Sequence, residues 1–137
     1  MPIPPLRPDG TLPPGSYDAS LSDIFVAYPA ISPRRLLLND ELAKFVGLLQ
    51  QQNLAYEMVV DGSYTTQKLQ PDDVDVAIWL MKVVTPSIED LFIQAGIDID
   101  HLIHPWFEID KIEYDKWVQF FSEKRDGTPK GIIRLIL

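Results

Sequence analysis

The chain has 137 residues, a formal net charge of −8, 46% hydrophobic and 23% charged residues, and no Cys. That length and apolar content suit one globular domain and exclude a disordered tail. The empty Cys count excludes disulfide scaffolds, thiolate zinc sites and Cys nucleophiles, and no apolar run reaches the ~18 residues of a membrane helix.

In chain order, eight of the 12 Pro residues lie in the first 33 positions. MPIPPLRPDGTLPPGSY is neither helix nor central strand, because Pro lacks the N–H and fixes φ. Its Leu6, Leu12 and Tyr17 predict an arm, about residues 1–19, lying across the core of a single domain spanning 1–137. The first residues carry no apolar h-region, so no secretory signal is expected and cytoplasmic residence is the default. Ser20 to Ala27 fits a short helix. Ser32 before Pro33 suits an N-cap followed by Pro at the first helical position. From Arg34 to Gln52, Leu37, Leu38, Leu42, Phe45, Val46 and Leu49 recur at helical spacing, and Asn53 suits a left-handed cap.

The period then changes. Leu54 to Val60 reads as a strand ended by Asp61-Gly62-Ser63. Val74, Val76, Ile78 and Leu80 alternate with Asp73, Asp75, Ala77 and Trp79 in a second strand. Thr85-Pro86-Ser87 opens a helix carrying Ile88, Leu91, Phe92 and Ala95, closed by Gly96. Residues 97–105 remain open between a strand and a helical turn. Phe107, Ile109 and Ile112 predict a strand over 106–112, with Glu108 and Asp110 on its opposite face. Tyr114 to Lys124 reads as a helix with Trp117, Val118, Phe120 and Phe121 on its apolar side, and Gly131 to Leu137 as a last strand. The fold class expected is α/β (α+β), a small mixed sheet with helices mainly on one face.

Charge is uneven along this pattern. Residues 57–115 hold 13 acidic and 3 basic side chains, a net of −10, and the remainder 7 acidic and 9 basic, a net of +2. Non-specific DNA binding would need the opposite balance. Most of these acids suit solvated faces. Asp73 and Asp75, two apart on a strand, project to one side and repel unless a cation or water intervenes. Mg²⁺ (or Mn²⁺) takes such oxygen ligands and shares them with phosphates. Gly62 permits close approach of a phosphate to the backbone, and Ser63 offers a hydroxyl and an N–H. Either feature alone is ordinary. Their conjunction, Gly-Ser, nine residues (64–72) and Asp-apolar-Asp-apolar, points to a metal-plus-phosphate site.

This segment resembles the nucleotidyltransferase superfamily, the fold of DNA polymerase beta and of small antibiotic and antitoxin nucleotidyltransferases. Gly62-Ser63 and Asp73-Val74-Asp75-Val76 match its motif position by position. The chain is also similar to small bacterial members without assigned activity, in PDGTLPPGSYDA (8–19), Arg34-Arg35 and FFSEKRDGTPKGIIRLIL (120–137). The resemblance implies that two acids bind Mg²⁺, with a third carboxylate on a neighbouring strand. Asp110 is the first choice for that role, with Glu108 beside it and Asp98 and Asp100 as runners-up. It also implies a nucleoside triphosphate substrate and a hydroxyl acceptor on protein or RNA.

Other residues carry weaker signals. His101 and His104, three apart, suit surface or capping histidines better than a metal pair. Arg34, Arg35, Lys68, Arg125 and Lys130 are candidate phosphate contacts, each singly more ordinary as a solvated charge. Trp79, Trp106, Trp117 and Phe120-Phe121 are read as core or partial core. No P-loop, dinucleotide fingerprint or Ser-His-Asp order is present. Two functions therefore compete: a Mg²⁺-dependent nucleotidyltransferase, and a binding or regulatory protein without turnover, as one half of a toxin–antitoxin or defence pair. A metal-dependent nuclease fits the carboxylates but not the Gly-Ser spacing.

Overall fold

In the computed structural model, which describes residues 3–99 and 101–137, alternating apolar segments form one five-stranded mixed sheet. Its strands are β1 (Gly15–Asp18), β2 (Ala55–Asp61), β3 (Val74–Leu80), β4 (Ile103–Glu108) and β5 (Gly131–Ile136), in spatial order β1-β5-β2-β3-β4. β2 runs antiparallel to both neighbours, while the outer pairs β1–β5 and β3–β4 are parallel. The helices are α1 (Leu21–Ala27), α2 (Pro33–Gln51), α3 (Ile88–Gln94) and α4 (Lys111–Phe121). The expected α+β class holds.

Period two assigns the two faces of the sheet. Met58, Val60, Val76, Ile78, Ile103 and Ile133 turn to the face covered by the first three helices, where Phe45 and Phe92 stack at 4.5 Å between centroids. Val59, Ala77 and Ile132 turn to the other face, covered by α4 through Tyr114 and Phe121. Helices thus lie mainly on one face, and α4 alone lies on the other.

Each helix starts on a side-chain cap. Ser20 and Asp23 form a reciprocal capping box, Ser32 accepts from Arg35 N–H with Pro33 behind it, and Ser87 accepts from Asp90 N–H. Asn53 adopts φ 52°, the left-handed conformation expected after α2. Leu37, expected in the core, is 42% exposed, because its neighbour Leu38 takes the inward position on α2.

Two boundaries differ from the sequence expectation. The strand predicted over 106–112 is β4 at 103–108, and Ile109 and Ile112 are exposed rather than strand core. The following helix begins at Lys111 rather than Tyr114 because Asp110 caps it, accepting from Ile112 N–H at 2.8 Å. The described part of the proline-rich arm packs on the body. Leu12 is buried, its carbonyl accepts from Gly131 N–H at 3.0 Å, and the arm ends as edge strand β1 beside β5.

The long connection between β2 and β3 is tied down from α2. Arg35 is 3% exposed, and its guanidinium donates to the carbonyls of Tyr64, Thr66 and Lys68 at 2.7–3.1 Å. Arg34 donates to Pro71 O at 3.0 Å and also to Asp72 O. Both of these candidate phosphate contacts hold backbone carbonyls, and neither lines the cleft described below. No helix among the described residues is long and apolar enough to cross a membrane.

Arg35→Ala should destabilise the fold by at least about 3 kcal/mol, since several carbonyls lose charge-assisted donors and stay buried. Arg35→Lys should recover little, because an ammonium lacks the planar fork. Urea denaturation of the three proteins measures this, and wild-type stability in the lysine variant would contradict it.

Candidate functional site

Antiparallel pairing of β2 with both neighbours, and parallel pairing of β3 with β4, bring particular strand ends together. The C-terminal end of β2 and the N-terminal ends of β3, β4 and β5 meet at one edge of the sheet. Asp61 lies opposite Asp75, and Asp75 lies beside His104. Side chains at this edge, on the face that carries α4, open into a cleft of about 650 Å³.

Asp73, Asp75 and His104 form the chemical centre. His104 Nδ1 lies 3.6 Å from Asp75 Oδ1 and 3.9 Å from Asp73 Oδ2. One donor atom from each residue lies within 4.8 Å of the others, and all three side chains are half-buried. Burial, and after it the charge of Asp73, pushes the Asp75 carboxyl above its ordinary range. Two carboxylate oxygens and an imidazole nitrogen converging on one point are a donor set for a divalent cation.

The third acid is not where the sequence placed it. Asp110 sits at the start of α4 as its cap, and Glu108 lies opposite Trp79, four residues along β4 from His104, where it accepts from Trp117 Nε1 at 2.8 Å. Those four residues carry Glu108 roughly 13 Å from the acid pair at strand rise. Asp98 pairs with His101 at 3.1 Å on the turn before β4. Asp100 lies outside the described residues. His104, taken from sequence as a surface histidine, fills the position instead. The signal was present in Ile103-His104-Pro105-Trp106-Phe107-Glu108, which alternates correctly once the strand starts at 103.

Asp61 is a second acid that the sequence reading did not select. It is 6% exposed, ion-paired with Lys130, and lines the same cleft. Burial pushes its carboxyl up to about 6, against the pull of the Lys130 ammonium. Lys130 is thus engaged with a carboxylate, while Lys68, Lys124 and Arg125 line the cleft around it.

Gly62 and Ser63 also line this cleft, with Ser63 opening a short 3₁₀ turn, Ser63–Thr65. Gly62 has φ 87° and ψ −169°, a region essentially reserved for glycine. A Cβ there would stand 2.7 Å from Asp75 Oδ2. Glycine is therefore needed for the close approach of the Asp75 carboxylate, a reason other than the phosphate approach read from sequence. Of the aromatic residues read as core, Phe120 departs most, with 65% of its surface exposed at the cleft.

The chain belongs to a family of unknown function, DUF6932, whose model matches residues 4–136. No curated protein and no solved structure matches it.

Two substitutions separate the candidate cation site from the helix cap. Asp110→Ala should lower stability by about 1 kcal/mol, the worth of a lost N-cap, and leave Mn²⁺ affinity unchanged. Gly62→Ala should cost roughly 1–3 kcal/mol through backbone strain and weaken Mn²⁺ binding by displacing Asp75. Urea denaturation and titration calorimetry on both variants measure these effects. Loss of Mn²⁺ binding in Asp110→Ala would restore that residue to the site.

Proposed function

We propose that the protein is a divalent-cation-dependent nucleotidyltransferase that holds a nucleoside triphosphate in this cleft and transfers its nucleotidyl group to a hydroxyl of a protein or nucleic-acid acceptor, releasing pyrophosphate. The observation that carries the reading is the convergence of Asp73, Asp75 and His104 at the margin of a cleft that Asp73, Asp75, Gly62, Ser63 and four basic side chains help to line. A divalent cation bound there would neutralise phosphate oxygens and ease deprotonation of an attacking hydroxyl. Asp73, Asp75 and His104 are the residues that would hold it. Mg²⁺ favours all-oxygen sites, whereas imidazole suits transition ions, so His104 favours Mn²⁺ over Mg²⁺.

The remaining work falls to charge and position. Lys124 and Arg125, from the turn after α4, line the same cleft; Arg125 would offset phosphate charge there, and Lys124 would do so from its pairing with Asp9 at 3.4 Å. Ser63 stands where its backbone and hydroxyl meet phosphate oxygens. Phosphoryl transfer asks chiefly for such placement and electrostatic stabilisation. The cytoplasm, where nucleoside triphosphates are supplied, suits this proposed activity.

A second reading, binding without turnover as one half of a toxin–antitoxin or defence pair, has its own support. Among the described residues three further acids line the cleft, Asp61, Asp72 and Glu123; Lys130 already neutralises Asp61, and none of the three joins the Asp73–Asp75–His104 group. Incubation with each labelled triphosphate and Mg²⁺ or Mn²⁺, with and without host lysate, separates the two readings. Label on any acceptor supports transfer, and binding without labelling supports the alternative.

Asp75→Asn and His104→Ala should each weaken Mn²⁺-dependent triphosphate binding at least about ten-fold, because each removes one of three donors. Calorimetric titration of the folded variants tests this. Wild-type affinity in both would remove the cation from the proposed site.

A further inference from the structure

We propose that Phe120 is the platform on which the nucleobase of the bound triphosphate stacks. The proposal rests on the cleft being a triphosphate site, and it names the part of the ligand that the acids and cations leave unassigned.

Three observations carry it. Among the described residues lining the cleft, Phe120 is the one aromatic side chain, and the other lining positions are charged residues, glycines and Ser63. Its ring is 65% exposed, whereas Tyr114 and Phe121 on the same helix are buried against the sheet. Phe120 thus lies off the packing face of α4 and turns an apolar face to a polar cleft.

The ring is also held in place. It meets Trp117 edge-on at 5.8 Å and Phe121 at 5.9 Å between centroids. Trp117 packs tilted against Trp106 at 4.8 Å between centroids, and Trp106 likewise against His104 at 4.3 Å. A continuous series of rings therefore runs from the metal-binding histidine, across the sheet face, to Phe120. A stacking surface anchored in this way loses little freedom when a base settles on it.

The set of groups matches a nucleotide better than a simple polyphosphate. Carboxylates line the cleft, with His104 beside Asp73 and Asp75, Lys124 and Arg125 lie within five residues of Phe120, and Phe120 supplies a π-face. An inorganic polyphosphate would use the first two groups and leave the third in water. Every base has a π-face, so this platform selects base-bearing ligands without fixing one base.

The test compares two probes, adenosine triphosphate and inorganic tripolyphosphate, each with Mn²⁺, by titration calorimetry. Wild type, Phe120→Ala and Phe120→Leu are used; leucine keeps apolar bulk and removes the π-face. An exposed side chain is replaced, so circular dichroism and melting should match wild type. Nucleotide affinity should fall about ten-fold or more in both variants, in the range of aromatic–base stacking, while tripolyphosphate affinity stays constant. Unchanged nucleotide affinity in the variants would overturn the platform and leave the site reading standing. Equal loss of both probes would assign Phe120 a merely structural part and overturn it too. Failure of wild type to bind either probe would overturn both the platform and the site.

Discussion

The guanidinium of Arg35 is a cation in the interior with no carboxylate partner among the described residues. It satisfies its donors on the carbonyls of Tyr64, Thr66 and Lys68, and lies 5.7 and 5.4 Å from the ring centroids of Tyr28 and Tyr64. An unpaired buried charge costs several kcal/mol, and charge-assisted bonds of about 1.5–3 kcal/mol each are what offset it. The network is closed by Asn39, which donates to Tyr28 O at 3.1 Å and accepts from Tyr64 Oη, and by Tyr28 Oη, which donates to Thr65 O at 3.0 Å. α2 therefore fixes the connection that begins at Gly62-Ser63 and ends at Asp73. Without that constraint, the two halves of the site would be joined by a polar loop of free conformation.

A second constraint is charge. Asp61, Asp73 and Asp75 converge at one sheet edge because four strand ends meet there, and the fold deals with each acid differently. Asp61 is buried and paired with Lys130. Asp75 is pressed against Gly62, where no side chain intervenes, and feels Asp73 as an unfavourable neighbour. Asp73 and Asp75 then share His104. Carboxylates kept together at a cost to one another, in a cleft large enough for a ligand, are more economical with a cation than without one.

Much of this was legible in the chain. The alternation of Val74 to Leu80 placed Asp73 and Asp75 together, and Ser32-Pro33 and Ser87 marked helix starts with side chains that act over three residues. These are local signals, and local physics reads them. Asp110 was misplaced because apolar residues at 107, 109 and 112 fit a strand, while the competing cap, Asp110 followed by the amphipathic Lys111–Phe121, was outweighed. Pro105 inside β4 obscured the true strand, although β4 is a sheet edge, where proline is tolerated. Arg35 and Lys130 were beyond reach for a different reason. Their partners lie 29–33 and 69 residues away, and no periodicity encodes a contact at that separation.

The replacement of an expected carboxylate by His104 changes the electrostatics as well as the ligand type. Three carboxylates around a dication leave a net charge of −1 facing a polyanionic phosphate. Two carboxylates and a neutral imidazole around the same ion leave zero, and Arg125 then adds positive charge along the cleft. Asp61 would restore the repulsion if it were free, but Lys130 cancels it within the fold. On the proposed reading, the cleft of a strongly acidic protein can therefore accept a triphosphate. The three acids at the strand ends are neutralised, Asp61 by a lysine and Asp73 and Asp75 by a cation that an imidazole helps to hold, before the ligand's own charge has to be met.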